Sequence, residues 1–107
     1  MEDKQGLTLD EIIDRINSMD EIAISDPIIY DLLISSDYKA RFVGEYVESK
    51  IRYNNLHKMI IKYEAGTLGF EPTCDISILE AQAYHMGNYL KQLEIRAEIE
   101  KIALPRI

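Results

Sequence analysis

The apolar positions along this chain fall into two regimes: they recur at helical spacing over many turns from Asp37 to Glu64 and from Asp75 to Lys101, and in short runs before Asp37. In the first long stretch Phe42, Tyr46, Ser49, Tyr53, Leu56, Ile60 and Tyr63 alternate spacings of four and three, which is a heptad seam. Val43, Val47, Ile51 and Ile61 widen it. In the second stretch Leu79, Ala83, Met86, Leu90, Leu93 and Ala97 form a matching seam, with Ile78, Tyr89, Ile95, Ile99 and Ile102 beside it. The connector AGTLGFEPTC holds Gly66, Gly69 and Pro72, a cluster that permits positive φ and forbids helix continuation. The pattern predicts two long helices folded into one antiparallel hairpin, capped by Ser36 or Asp37 and by Asp75, with Pro105 ending the second.

The region before Asp37 predicts shorter elements. Thr8-Leu-Asp-Glu11 fits a capping box, and Ile12, Ile13, Ile16 and Met19 follow it as a stripe. Ser25-Asp26-Pro27 is a second start signal, after which Ile28, Ile29, Leu32 and Leu33 give a helical face to about Ile34. The β-branched content of EIAISDPIIYDLLIS also allows a short strand there. Residues 1 to 7 have no pattern and are expected to fray. The reading is an all-α, single-domain chain: an N-terminal helical extension over residues 1–37 and a long antiparallel helical hairpin over residues 38–107. Two rods of about 27 residues run roughly 40 Å side by side and cover only one seam. The surplus apolar surface predicts a homo-oligomer, most simply built on a twofold axis.

Charge changes the picture of the extension more than that of the hairpin. Residues 1–37 carry ten acids against two bases, whereas residues 38–107 carry nine acids against ten bases, so the net charge of -7 is wholly N-terminal and the hairpin is close to neutral. A binder of DNA or RNA polymers needs a continuous basic face, because its affinity comes largely from neutralised phosphates. The chain has no such face. A ligand with two or three phosphates needs only two or three local bases, which the hairpin can supply. At 47% hydrophobic and 29% charged the composition is that of a folded globular chain. No apolar run reaches the roughly 20 residues of a membrane span, and the acidic start is unlike a secretory signal, so a cytoplasmic protein without a membrane partner is expected. The single cysteine, Cys74, excludes an intrachain disulfide and a multi-cysteine zinc site.

Candidate chemistry is sparse and points away from catalysis. There is no Gly-rich phosphate loop, nucleophile elbow or metal-binding helix motif, and no cofactor is implied. His57 and His85 stand alone on different helices, and Cys74 has no base placed near it. Glu45 and Glu48, like Glu94, Glu98 and Glu100, read as solvated helix faces with Lys and Arg partners. What stands out is an aromatic and basic set on and after the first long helix: Tyr46, Lys50, Arg52, Tyr53, Lys58, Lys62, Tyr63 and Thr67. A tyrosine ring offers a stacking face, a lysine or hydroxyl can hold an adjacent phosphate, and the loop after Lys62 adds backbone N–H donors. Tyr46, Tyr53 and Tyr63 also lie on the heptad seam, so packing is the competing reading.

The run from Tyr38 to Pro105 resembles a family of small phage-encoded helical proteins that includes the anti-CBASS protein two type. The resemblance is carried by Arg41-Phe42, Glu45-Tyr46, Leu56-His-Lys-Met-Ile60, the turn Tyr63-Glu-Ala-Gly-Thr67, and the succession Leu79, Gln82, Met86-Gly-Asn-Tyr89-Leu90, Leu93, Arg96. It leaves out the acidic N-terminal third. The resemblance implies an all-helical homo-oligomer, typically a hexamer, that binds cyclic oligonucleotide immune signals in the cytoplasm of the infected bacterial host and withholds them without cleavage. It implies that Tyr46 stacks on a base, that Lys62 and Thr67 contact phosphate, and that Arg96 belongs to a separate site for cyclic trinucleotides. The alternative function is an acidic helical module that binds a basic protein partner through residues 1–36 and takes no nucleotide.

Overall fold

A computed structural model of the chain describes residues 6–107. The fraying expected at the start of the chain falls, for residues 1–5, outside the described residues. Four α-helices follow one another: α1 (Leu9–Asn17), α2 (Pro27–Leu33), α3 (Tyr38–Ala65) and α4 (Ile76–Glu100). The described residues contain no β-strand, so the ambiguous stretch around Pro27 is helix and the all-α class is borne out. None of these helices is long and apolar enough to cross a membrane.

Each helix starts where a side-chain oxygen takes up an otherwise unpaired N–H. Thr8 Oγ1 accepts from the Glu11 N–H at 3.2 Å while Glu11 Oε1 accepts from the Thr8 N–H at 3.1 Å, a complete capping box. Asp26 Oδ1 accepts from the Ile28 N–H at 3.0 Å, and Pro27 fills the first helical position, where its missing donor costs nothing. Asp37 and Asp75 serve α3 and α4 in the same way, through Lys39 and Ser77.

The ends of the long helices use left-handed residues. At the end of α3, Gly66 takes φ 74°. Its N–H bonds to the Tyr63 carbonyl at 3.1 Å, and the Thr67 N–H bonds to the Lys62 carbonyl at 2.9 Å, the two bonds of a Schellman cap. α4 does not run to Pro105. It stops at Glu100, because Lys101 adopts φ 57° and lets Ile102 turn back, its N–H on the Ala97 carbonyl at 2.9 Å and its side chain buried with Ala97 in the core. A lysine in this conformation carries a Cβ penalty that glycine lacks. Lys101→Gly is therefore expected to stabilise the fold by about 1 kcal/mol, read as a higher chemical-denaturation midpoint at unchanged slope.

α3 and α4 contact each other with sequence number falling on one as it rises on the other. Tyr38 meets Glu100, Tyr46 meets Glu94, and a side chain placed at Gly87 would touch the Tyr53 ring at 3.4 Å. The molecule measures 45 × 27 × 21 Å, its long axis close to the roughly 42 Å of a 28-residue helix. The core sits at one end of that axis. Ile12 and Ile16 of α1, Ile28 and Leu32 of α2, Val43 and Val47 of α3, Leu90 and Leu93 of α4, and Ile102 of the tail are all buried in one cluster. It draws on residues both before and after Asp37.

Toward the α3–α4 turn the picture reverses. The seam residues Leu56, Leu79, Ala83 and Met86 are only half-buried, and Ile61, Tyr63, Phe70, Ile78 and Tyr84 are exposed. The cause is geometric, because each helix of a pair covers one side of its neighbour and the N-terminal segment supplies a third layer over α3 only as far as Lys58.

Where that third layer meets α3, the approach is close. A Cβ on Gly44 would lie 2.9 Å from Leu32 Cβ and 3.0 Å from the Leu33 backbone nitrogen. Backbone cannot retreat as a flexible side chain can, so Gly44→Ala should push α2 off α3 and cost about 1–3 kcal/mol. Thermal denaturation reads this directly, and an unchanged midpoint would contradict the contact.

Candidate functional site

The four residues singled out from sequence occupy opposite ends of the hairpin. Tyr46 and Lys62 share one continuous helix and are separated by sixteen residues, or about 24 Å at 1.5 Å per residue. Lys62 and Thr67 are brought together by the Schellman cap, and Tyr46 and Arg96 lie near one another at the end that holds the core. The chain alone therefore does not gather all four into one pocket.

At the turn end, the Lys62 carbonyl accepts from the N–H groups of Thr67 and Leu68 at 2.9 and 3.2 Å and from Thr67 Oγ1 at 3.4 Å. The N–H groups of residues 66, 67 and 68 are thus used by the cap. They do not form the set of phosphate donors expected of this loop, because the left-handed turn at Gly66 aims them back at the last carbonyls of α3. The Lys62 ammonium and the Thr67 hydroxyl remain on the exposed surface, beside the exposed ring of Tyr63. Tyr63 also lines an open hollow of about 340 Å³ with Pro72, Thr73, Cys74 and Ile76. Glu71 and Asp75 border the same hollow, and hydrogen bonds from Ser77 hold the Asp75 carboxyl below its ordinary range. An anion entering the hollow would meet these two carboxylates.

At the other end Tyr46 is a core residue, 5% exposed, whose hydroxyl donates to Glu94 Oε2 at 2.7 Å. Burial first, and then the hydrogen bond to that carboxylate, push its phenol pKa far above the ordinary value of 10. Two further phenols bridge the same helix pair. Tyr89 donates to Glu45, which with partial burial raises its pKa to about 12, and Tyr38 donates to Glu100 at 2.8 Å. Arg96 completes the second bridge, with Nε on Glu100 Oε2 at 3.1 Å, a second contact to the Tyr38 hydroxyl, and its guanidinium 4.8 Å from the Phe42 ring centre.

These phenols tie stability to pH. A group whose folded pKa lies above its unfolded value contributes stability that is complete below the unfolded pKa, here 10, and lost as pH rises through the folded one. The fold should weaken above pH 10, and Tyr46→Phe should flatten that loss while costing about 1 kcal/mol at neutral pH. Denaturation midpoints measured across pH 8 to about 12 test both parts, and identical profiles would contradict the pairing.

Sequence reasoning missed the carboxylates. Glu94 and Glu45 read as solvated helix faces, and Glu48 does pair with Arg52 at 3.9 Å, but Glu45, Glu94 and Glu100 take tyrosine hydroxyls across the interface. The available signal was position, since Glu45 and Glu94 flank seam residues and Glu100 continues the seam three residues past Ala97, where each can lean over the joint between the helices. The middle of α3 carries a smaller cluster, in which His57 stacks on Tyr53 at 5.8 Å with rings 8° apart and Lys50 Nζ lies 5.8 Å from the same ring. His85 meets Tyr84 edge-on. Both histidines are thus ring partners, and no group of three metal-ligating side chains gathers among the described residues.

No curated protein and no solved structure matches the chain. A match to the Sequestin family spans residues 36–99, which takes in all of α3, the turn and nearly all of α4 while leaving α1, α2 and the tail outside, and the chain belongs to that family.

Proposed function

We propose that the protein is a phage counter-defence sponge that binds cyclic oligonucleotide immune signals, cyclic dinucleotides above all and cyclic trinucleotides second, and withholds them uncleaved in the cytoplasm of the infected bacterial host. The observation that carries this reading is the Sequestin match over the α3–α4 hairpin. The family's name denotes sequestration, a binding role rather than a catalytic one. The resemblance to the anti-CBASS protein two type rests on the same hairpin and supplies the ligand class.

The geometry adds a requirement. With Tyr46 and Lys62 about 24 Å apart on a rigid helix, both can reach one small ligand only if they come from different copies. A twofold pairing that sets the Tyr46 end of one hairpin beside the Lys62 end of its partner meets this requirement. The exposed Ile61, Phe70, Ile78 and Tyr84 supply apolar surface for such an assembly, extending on this reading to a hexamer. Twofold symmetry also suits a ligand made of two like halves. Tyr46 then stacks on a base only after the α3–α4 joint opens at Glu94, whereas Tyr63 already presents an open ring next to Lys62.

Melting the protein with and without a panel of 3′,3′-cyclic dinucleotides, followed by chromatography of the recovered nucleotide, tests the reading. A raised midpoint with the nucleotide returned intact is expected. Recovery of linear products would replace the sponge with a hydrolase.

A further inference from the structure

A second cavity lies outside the hairpin joint and is built largely by segments that the Sequestin match leaves out. It is a cleft of about 210 Å³, or roughly seven waters at ~30 Å³ each. The segment after α1, the middle of α3 and the C-terminal tail enclose it. The tail is fixed in place by the Arg106 N–H donating to Asn17 Oδ1 at 2.7 Å and by burial of Ile102.

Its lining has three kinds of chemistry. Ile16, Ile22 and Ile51, all buried, give an apolar floor. Lys58 and Arg106 bring two positive charges to the mouth, and Asp20 and Glu21 bring two negative ones. The consecutive carboxamides of Asn54 and Asn55 also line it, and neither is hydrogen-bonded to a described residue. Lys58 and Glu21 pair across the mouth at 3.6 Å with both side chains well exposed, a contact worth so little that it yields readily to a better partner.

The balance of charge selects the ligand. A polyphosphate would gain two cations and be repelled by two carboxylates, so the cleft does not duplicate a nucleotide site. A purely apolar molecule would bury the mouth charges without compensating them. A compact molecule that carries one anionic group, one cationic group and an apolar body matches the two cations, the two carboxylates and the isoleucine floor. We propose that this cleft binds a free α-amino acid with a large apolar side chain. Its carboxylate is held by Lys58 and Arg106, its ammonium by Asp20 and Glu21, and its side chain rests on the isoleucine floor. The site is independent of the cyclic oligonucleotide reading and places a second, metabolite-responsive surface on the N-terminal segment.

The full chain is titrated calorimetrically with L-leucine, L-methionine and L-phenylalanine up to about 10 mM, and then with 4-methylpentanoate and isoamylamine, which each lack one charge of leucine. Saturable binding of at least one amino acid at one per chain is expected, at least about tenfold tighter than either leucine analogue where leucine is the ligand. Lys58→Glu, an exposed change whose folding is checked by its melting curve, should weaken binding by at least about tenfold, while Lys91→Ala, an exposed change on α4, leaves it unchanged. Absence of saturable heat from all three amino acids, equal binding of leucine and 4-methylpentanoate, or full affinity in Lys58→Glu would each overturn the proposal. None of these results depends on whether a cyclic nucleotide binds.

Discussion

Leu32→Ala is expected to remove about 2–5 kcal/mol of stability, a large part of the roughly 5–15 kcal/mol that a domain of this size possesses. Leu32 is fully buried, and its Cβ lies where α2 comes closest to α3 at Gly44. Truncation leaves a cavity that cannot collapse, because the backbones on either side are already in contact. The melting midpoint should fall by roughly 4–8 °C for each kcal/mol lost. A variant that melts within about 0.5 kcal/mol of wild type would mean that α1 and α2 sit on the hairpin without belonging to its cooperative core. The same experiment bears on the acidic N-terminal segment, since a segment that stabilises the fold cannot be deleted as a simple appendage to test the protein-partner reading.

The second large effect concerns ligand uptake. On the sponge reading Lys62→Glu should weaken cyclic dinucleotide binding by about a hundredfold or more, because it removes a charge-assisted hydrogen bond to phosphate and sets a carboxylate in its place. Lys62 lies in the last turn of α3, exposed and clear of the core, and only its backbone carbonyl takes part in the helix cap. The substitution should therefore cost the unliganded fold only about 1 kcal/mol, from reversing a charge at the C-terminal end of the helix. This separation is what Tyr46→Ala lacks. Tyr46 packs in the core and bridges to Glu94, so its truncation would unfold part of the molecule whatever its part in binding. Tyr46→Phe keeps the ring and is the informative change at that position.

Much of the fold was legible because helix starts and stops are local. Thr8, Asp26, Asp37 and Asp75 cap the four helices through their own side chains, and Gly66 ends α3 by a conformation open to glycine. The end of α4 was not legible, because a left-handed Lys101 is favourable only when Ile102 has a core to enter, and that core is assembled from α1, α2 and α3. Gly44 gave no signal either, since its lack of a side chain matters only through a helix that meets it from a different part of the sequence. The depth of the seam was misjudged for a related reason. Heptad spacing shows which residues face a partner, but a third layer decides which become buried, and that layer reaches along α3 only as far as Lys58, where Glu21 meets it.

The candidate site divides along the same line. Lys62 and Thr67 were placed together by a turn whose residues are adjacent in sequence. Tyr46 and Arg96 were placed by long-range packing, in a network of Tyr38, Phe42, Glu94 and Glu100 that spacing along one helix does not reveal. The resemblance selected residues from both ends, and the distance between them is why a second copy enters the proposal.

Calorimetric titration of the purified chain with 3′,3′-cyclic dinucleotides and cyclic trinucleotides tests the central claim most directly. Saturable binding of at least one of them, with less than one ligand per chain for a dinucleotide shared across a twofold interface, is the predicted result. The absence of heat across the whole panel from a folded, oligomeric sample would contradict it.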